Sequence, residues 1–215
     1  RPQWYTVAQR SRNYVNKVLT QISGEHYKNY QINSIKRTSS GVQVYYGGNN
    51  EFFDYDKAVI ATHADEALSL IQNPTELENS ILSNFGYKEN QAVLHFDENI
   101  MPRNKKAWSS WNSFVDPKDL NKSSLSYWLN LLQNLKVDKN IFLTLNPFRE
   151  IPEKKILKKI KFTHPYYNQA ALENQKNLKN IQNKENLLFC GSYFGYGFHE
   201  DGIKSSIEML KNFDD

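Results

Sequence analysis

The sequence contains very little cysteine and lacks long apolar runs. Cys190 is the one cysteine among 215 residues, which excludes a disulfide bond within the chain and suits a reducing, cytoplasmic environment. No stretch approaches the roughly 18 apolar residues of a membrane-spanning helix, and no secretory signal peptide is visible. We therefore expect a soluble, cytoplasmic protein.

A strong excess of one charge is also missing. The 27 lysines and arginines stand against 23 acidic residues, a formal net charge of +4, and this mild excess does not indicate a nucleic-acid partner. The lysine runs around 154–159 and 176–179 are typical of solvated faces. The five histidines form no close pair at helical or turn spacing, so the sequence indicates no metal site.

The apolar pattern of the first 84 residues predicts both helices and strands. Residues 10–23 carry apolar side chains at helical spacing, which predicts a helix. Thr75 and Glu78 form the pattern of a capping box, which predicts a second helix over 75–84. The other elements predicted here are strands over 31–37, 42–46 and 51–56, a strand over 57–62 buried on both faces, and a helix that ends near residue 71.

The rest of the chain predicts an antiparallel sheet followed by two helices. Alternating apolar and aromatic residues, separated by turns rich in Pro and Asn, predict four or so strands and a further one. These strands fall at 91–97, 106–114, 124–130, 141–146 and 156–162. A polar helix over 167–181, a short buried strand and a last helix over 201–213 complete an α/β (α+β) chain.

The stretch CGSYFGYGFHEDGIKSS, residues 190–206, carries four glycines where the last strand ends and the last helix begins. Such a turn brings backbone N–H groups and the positive end of a helix close to a ligand, since glycine has no Cβ to keep the ligand away. The amides around Gly202, Ile203 and Lys204 would be the donors. Ordinary turn chemistry, with Glu200 and Asp201 stabilising the helix dipole, is the alternative reading of the same pattern.

Residues 187–210, LLFCGSYFGYGFHEDGIKSSIEML, resemble the C-terminal signature of flavin-containing amine oxidases. The helix of that signature begins Glu-Gly-Ala-hydrophobic-x-Ser-Gly. Glu200, Ile203 and Ser205 match this pattern, whereas Asp201, Gly202 and Ser206 depart from it. Nearly the whole chain is similar to a bacterial subgroup of predicted NAD/FAD-binding proteins of the amine oxidase type. The matching blocks include RPQWYTV, SRNYV, DKAVIATHADEAL, NPTELE, AVLHFDENIMPRNKKAWSSWN, SYWLNLLQNL, LTLNP and GYGFHEDGI.

The resemblance implies a fold and a division of the chain. The expected fold is an amine-oxidase-like substrate domain with a mixed or antiparallel sheet and helices, joined to the C-terminal part of a three-layer FAD/NAD(P)-binding domain. Residues 1–62 and 184–215 would belong to the FAD-binding domain, and residues 63–183 mainly to the substrate domain. The Gly-x-Gly-x-x-Gly unit that holds the FAD pyrophosphate does not occur in this sequence. We therefore expect the chain to be the later part of a longer protein and, by itself, to be inactive and to bind FAD weakly.

The resemblance also implies a set of contacts to FAD, mostly through main-chain groups. Ser192 stands where the family commonly has an acidic residue that binds the ribityl chain, so we expect that contact to be weakened or absent. The implied cofactor-binding residues are Ile32, Ala61, Thr62, His63, Gly191, Gly197, His199, Glu200, Asp201, Gly202 and Ile203. No catalytic residue can be assigned, because in this family the cofactor accepts the hydride and the protein mainly orients the substrate.

Aromatic side chains are the candidates for substrate contact. They are Trp108, Trp111, Tyr127, Trp128, Tyr193 and Tyr196, with core packing as the alternative role for each tryptophan. The implied function is hydride transfer from an amine, or from a hydrophobic, lipid-like substrate, to the flavin. A peripheral contact with a membrane is compatible with the second substrate class. The alternative is a non-catalytic module of the same fold that binds a hydrophobic ligand or a partner.

Overall fold

The computed structural model describes residue 3, residues 5–48 and residues 51–213. The chain divides into two compact units. The sheet unit comprises the chain up to Glu25 together with Glu89–Thr163, and the loop unit comprises His26–Lys88 together with the chain from His164. The domain boundaries predicted from the sequence, after residues 62 and 183, stay a prediction, as does the assignment of cofactor and substrate binding to these domains.

The described chain contains both helices and strands. The helices are α1 (Ser11–Leu19), α2 (Ala64–Leu70), α3 (Glu76–Leu82), α4 (Leu129–Leu132), α5 (Gln169–Gln175) and α6 (His199–Leu210). The strands are β1 (Ile32–Arg37), β2 (Val42–Tyr46), β3 (Glu51–Tyr55), β4 (Ala58–Ile60), β5 (Gly86–His95), β6 (Trp111–Asp116), β7 (Asp119–Trp128), β8 (Phe142–Leu145), β9 (Ile156–Tyr166) and β10 (Leu187–Phe189). Every helix in the described part of the chain is too short or too polar to cross a lipid bilayer.

The predicted antiparallel sheet is confirmed and has five strands in the order β6-β7-β8-β5-β9. Alternation of apolar residues buries Val93 against Ile100 and Ile151 on one side of the sheet. The strand predicted from residue 106 begins only at Trp111. The Asn104 side chain accepts a hydrogen bond from the Lys106 N–H (3.0 Å) and starts a 3-10 turn there instead.

A chain of buried polar side chains crosses three strands of this sheet. His95 on β5 lies 2.7 Å from the Thr144 hydroxyl on β8, which lies 2.8 Å from the Ser126 hydroxyl on β7. All three residues are 0% exposed. The Asp97 N–H donates to His95 Nδ1 (3.1 Å), so the ring proton of the neutral imidazole is on Nε2 and points to Thr144. The cross-strand hydrogen bonds thereby satisfy a neutral histidine inside the core.

The loop unit contains the predicted β2–β3 hairpin within the sheet β1-β2-β3, and a parallel pair of strands, β4 and β10. Leu187, Leu188 and Phe189 on β10 are fully buried. The prediction that β4 is buried on both faces is wrong for this chain, because Val59 is 39% exposed. Parallel strands are normally covered on both faces, but here one side of β4 faces solvent.

The predicted capping box at the start of α3 is confirmed. The Thr75 hydroxyl accepts a hydrogen bond from the Glu78 N–H (3.1 Å), and the Glu78 carboxylate accepts one from the Thr75 N–H (2.8 Å). The same carboxylate forms an ion pair with Arg37 on β1. The box therefore starts the helix and, through Glu78, also joins it to the three-stranded sheet.

Two predicted helices are shorter than their patterns indicated. The helix predicted over 10–23 exists as α1, and none of its residues is buried. The helix predicted over 167–181 ends at Gln175 and is followed by a 3-10 turn over Leu178–Ile181. Asn174 and Asn177 lie at this break, and asparagine disfavours the helix interior because its side chain competes for backbone hydrogen bonds.

Candidate functional site

The candidate site lies where the parallel strands of the loop unit end. Leu187 pairs with Ala58 and Phe189 with Ile60, and the Cys190 N–H donates to the Ile60 carbonyl (3.2 Å). Both strands therefore run their carboxyl ends to the same edge. In open α/β sheets, ligands bind outside this edge. Residues 61–63 follow β4 there, and the glycine-rich loop, residues 191–198, follows β10.

Hydrogen bonds within the chain hold the glycine-rich loop. The Ser192 carbonyl accepts from the N–H groups of Gly195 and Gly197 (3.1 Å each). The Asp201 carboxylate accepts from the N–H groups of Tyr196 and Phe198 (3.0 Å each). Asp201 was predicted to contact a cofactor, but in this structure one of its oxygens binds the loop that precedes the helix.

The last helix begins at His199, two residues before the predicted start. Asp201 is the third helical residue, the position from which an acidic side chain reaches back to the N–H before the helix. As a result the Gly202 N–H donates to the Phe198 carbonyl (3.2 Å), and the prediction that it is free for a ligand is wrong.

Two amides at the start of α6 are available instead. Among the residues that the structure describes, the N–H groups of His199 and Glu200 have no hydrogen-bond partner, and both residues are exposed. They belong to the first turn, where helix N–H groups are not paired within the helix. The positive end of the dipole of this 12-residue helix adds to their attraction for an electron-rich group.

Two glycines in the loop are required by the fold of the loop itself. A Cβ at Gly195 would lie 2.4 Å from the Asp201 carboxyl carbon. Gly197 has a φ of +90°, which side-chain-bearing residues rarely adopt. A Cβ at Gly202 would have the Ser192 nitrogen as its nearest neighbour, at an ordinary 3.9 Å. Glycine at 202 is thus not required by packing within this chain.

This difference gives a stability prediction. Gly195→Ala is expected to destabilise the loop unit by about 1–3 kcal/mol, because the new methyl group overlaps the carboxylate that caps the loop. Gly202→Ala is expected to stabilise the unit by up to about 1 kcal/mol, since alanine favours the helix. Thermal unfolding measures the stability of both variants. Equal changes in stability would contradict the close approach of residue 195 to the Asp201 carboxylate.

Ser205, which matches the family pattern, connects the loop to the helix. Its hydroxyl accepts a hydrogen bond from the Gly191 N–H (2.9 Å) and donates to the Gly202 carbonyl (2.7 Å). Ser205 is buried. The end of β10 and the first turns of α6 are therefore held together by one side chain.

The two tyrosines of the loop have opposite environments. Tyr196 is 70% exposed, whereas Tyr193 is 2% exposed and packs edge-on against Phe85, with ring centres 5.3 Å apart. Burial raises the pKa of Tyr193 far above its usual value. Its hydroxyl, like that of Tyr167, is buried without a hydrogen-bond partner among the described residues. Tyr193 is therefore part of the core here.

A second aromatic pair lies at the end of β4. The His63 ring stacks on Tyr87 with centres 4.2 Å apart, and the Tyr87 hydroxyl accepts a hydrogen bond from the Ala64 N–H (2.9 Å). Burial raises the pKa of Tyr87 to about 12. Thr62 is half-buried, and its carbonyl is 3.3 Å from where a Gly191 Cβ would lie. Residues 61–63 and the start of the glycine-rich loop therefore lie next to each other.

The remaining predicted cofactor-binding residues lie partly at this edge and partly elsewhere. Ile32 is 38% exposed on β1, in the three-stranded sheet rather than at the edge of the parallel pair. Ala61 and Ile203 are exposed. Tyr87 and Tyr167 were not predicted, because single tyrosines in distant segments form no recognisable pattern in the sequence.

The aromatic residues predicted for substrate contact in the sheet unit have mixed roles. The rings of Trp108 and Trp128 pack edge to face with centres 5.3 Å apart. The Trp108 indole N–H donates a hydrogen bond to the Pro102 carbonyl (2.8 Å), and the Trp128 indole N–H donates one to the Asn140 side-chain oxygen (3.0 Å). These two tryptophans support the unit. Burial raises the pKa of the half-buried Tyr127.

Trp111 is the exposed member of that set. It is 60% exposed and lines an open groove of about 840 Å³ with Tyr5 and Leu131. The groove also includes residues 109–110 and 132–134. It joins segments that are far apart in the sequence, so Tyr5 and Leu131 were not predicted.

In the described ranges, no group of three or more His, Cys, Asp and Glu side chains is arranged to hold a metal ion. Cys190 is a free, buried thiol that packs with Leu188 and Met209. Its surroundings are those of a small apolar residue.

The sequence matches no protein-family model and no curated protein sequence. Solved structures do match. A CLA-producing fatty acid isomerase from P. acnes has a TM-score of 0.66 at 11% identity, over 94% of this chain and 52% of its own. Putrescine oxidase bound to putrescine has a TM-score of 0.62 at 7% identity, over 96% and 53%. Cyclohexylamine oxidase from Brevibacterium oxydans has a TM-score of 0.53 at 10% identity, over 86% and 49%.

These likenesses confirm the fold predicted from the sequence blocks. The chain has the fold of flavin amine oxidase structures, with helices and mixed and antiparallel sheets, and spans about half the length of the structures it matches. At these identities the match shows the fold alone.

Proposed function

We propose that this chain is part of an FAD-dependent oxidoreductase of the amine oxidase type, which transfers a hydride from an amine or a lipid-like substrate to the flavin. The observation that carries the proposal is the fold match over 94% of the chain, combined with the glycine-rich loop at the carboxyl edge of a parallel strand pair. The matched structures include oxidases of putrescine and of cyclohexylamine. A fatty acid isomerase among them supports the lipid-like alternative.

The residues at this edge fit the flavin end of such a cofactor. The N–H groups of His199 and Glu200 are unpaired donors, and the buried Tyr193 hydroxyl lacks a partner. Gly202 leaves room that its own chain does not need. A bound flavin would supply the acceptor for the hydride. Ser192 offers no carboxylate for the ribityl chain, so we expect weaker binding there than in the family pattern.

The contributions of the chain itself are orientation and charge. The first turn of α6 would bind an electron-rich edge through the amides of His199 and Glu200 and through the helix dipole. Asp201 would hold the loop in position for this contact, since it binds the N–H groups of Tyr196 and Phe198. Trp111, which lines the open groove, is our candidate for substrate contact.

The alternative is a module of the same fold that binds a hydrophobic ligand or a partner without redox chemistry. It is favoured by the hydrogen bonds that already occupy the loop amides from Gly195 to Phe198. Such a loop keeps its shape without a cofactor. The two proposals therefore differ in whether the native protein retains flavin.

The test is the flavin content of the native protein that carries this chain, purified without added cofactor. We expect the visible absorbance of an oxidised flavin, which bleaches when an amine or an unsaturated lipid is added anaerobically. Gly202→Val is expected to lower flavin retention at least about tenfold, because a branched side chain occupies space beside the first turn. Its circular dichroism should match that of the parent.

Gly24→Val is the matched control, since a Cβ at Gly24 meets no atom within 4 Å. It should retain flavin like the parent. A colourless native protein that takes up no added FAD would overturn the oxidoreductase proposal and favour the non-catalytic module. Retention of flavin by Gly202→Val would contradict the placement of the cofactor at this helix.

A further inference from the structure

A polar pocket of about 550 Å³ lies in the sheet unit, beside the segment that joins β5 to β6. This segment contains the block MPRNKKAW, residues 101–108, to which the proposed function assigns no role. Arg103, Lys105 and Arg149 line the pocket, together with the acidic residue Glu98. Its remaining walls are largely apolar.

The one acidic residue of the pocket is already neutralised. Lys105 Nζ lies 2.8 Å from one carboxylate oxygen of Glu98, and the Asn140 amide donates to the other oxygen (2.7 Å). The hydrogen bond from Lys105 lowers the pKa of Glu98, so this carboxylate stays ionised and paired. Glu98 and Lys105 therefore cancel in the charge of the pocket.

Arg103 and Arg149 are left as excess positive charge. Within the described ranges of the chain, neither has an ion pair with an acidic side chain. The Arg149 guanidinium carbon lies 5.9 Å from the centre of the Phe148 ring, a cation–π distance. Two guanidinium groups that line one pocket favour a planar anion such as a carboxylate, which each can bind with two hydrogen bonds.

The apolar wall indicates what the anion is attached to. Met101, Trp108 and Phe114 line the pocket, and Phe114 and Arg149 also line an adjoining narrow crevice with Ile100 and Phe148. A free inorganic anion would leave these surfaces in water. A ligand with an apolar part would cover them and gain about 25 cal/mol for each Å² of apolar surface removed from water.

We propose that this pocket binds a carboxylate that carries an apolar chain. Arg103 and Arg149 bind the carboxylate, and Trp108 and Phe114 contact the chain. An aliphatic amine is disfavoured, because its positive charge would face the two arginines. The pocket lies entirely within the sheet unit, so the inference can fail or succeed independently of the flavin proposal.

Calorimetric titration of the 215-residue chain with octanoate tests the inference, with octylamine, acetate and inorganic phosphate as comparison ligands. We expect octanoate to bind at least about tenfold more tightly than each of the other three, because it alone uses both the cations and the apolar wall. Octylamine binding as tight as octanoate would show non-specific apolar binding. Acetate or phosphate binding as tight as octanoate would show a simple anion site. Either result would overturn the proposal.

Charge-removing variants locate the site. The double variant Arg103→Gln/Arg149→Gln is expected to weaken octanoate binding at least about tenfold, the effect of losing charge-assisted hydrogen bonds. The control variant Lys106→Gln removes a positive charge from an exposed residue that does not line the pocket. The affinity of this variant for octanoate should stay within about twofold of that of the parent chain. Phe114→Leu should weaken octanoate but leave acetate unchanged. An unaltered affinity in the double variant would place the binding elsewhere.

Discussion

Replacing Arg37 with methionine is expected to lower the free energy of unfolding of the loop unit by about 3–5 kcal/mol. Glu78, the partner of Arg37, is 0% exposed, and the Arg37 side chain is only 12% exposed. Without the guanidinium, the Glu78 carboxylate stays buried with the Thr75 N–H as its remaining donor. A buried charge without its partner costs far more than the loss of an exposed ion pair.

The loop unit needs its own probe for this measurement. The fluorescence of Trp108, Trp111 and Trp128 does not report on it, because these residues lie in the sheet unit. Hydrogen exchange at the Phe189 amide, which donates to the buried Gln182 side chain (3.0 Å), does. We expect Arg37→Met to speed this exchange by at least about a hundredfold, the factor that corresponds to about 3 kcal/mol.

Two further variants control the result. Lys211→Met breaks an ion pair with Glu208 in which both side chains are about two-thirds exposed, so its effect should stay below about 1 kcal/mol. The double variant Arg37→Met/Glu78→Met should be more stable than Arg37→Met, because it leaves no buried carboxylate. If Lys211→Met and Arg37→Met had equal effects, the burial of the pair would be irrelevant to its contribution.

Acidification is expected to cost the sheet unit about 2–3 kcal/mol between pH 6.5 and pH 4. Burial lowers the pKa of His95 from 6.5 to about 4, with Lys155 adding to the decrease and Asp97 opposing it. Above pH 6.5 the histidine is neutral in both the folded and the unfolded chain, so the stabilisation is complete. Between pH 6.5 and 4 the unfolded chain binds a proton that the folded chain excludes, and stability falls.

Tryptophan fluorescence measures this effect, because Trp108, Trp111 and Trp128 all lie in the sheet unit. Urea unfolding at a series of pH values should show the midpoint fall from pH 6.5 to 4. His95→Gln should remove most of that slope, whereas His164→Gln, at an exposed position, should keep it. Direct NMR titration of the His95 ring in the parent chain gives an independent result, and an apparent pKa near 6.5 would refute the prediction.

Local patterns in the sequence predicted most of the elements correctly. The alternation in 91–97, 124–130 and 141–146 gave strands of one antiparallel sheet, because alternation is a property of neighbouring residues and one face must be buried. The capping box of Thr75 and Glu78 was predictable for the same reason, since its partners are three residues apart. The fold resemblance rested on several such blocks together.

The burial and the neighbours of individual residues could not be predicted from local patterns in the sequence. Tyr193 and Tyr196 are three positions apart on one loop, yet one is in the core and the other is largely exposed. The direction of each ring depends on what the rest of the loop unit places beside it. Gly195 and Gly202 look alike in the sequence, but only Gly195 faces the Asp201 carboxylate.

By itself the sequence determined the strand and helix order, the turn chemistry of the glycine-rich loop and the resemblance to a flavin oxidase fold. All of these depend on residues close together in the chain. Tertiary structure alone decided that Arg37 neutralises Glu78 and that two arginines far apart in the sequence line one pocket. These depend on long-range packing, which sets burial and charge neighbours through contacts that spacing along the chain does not encode.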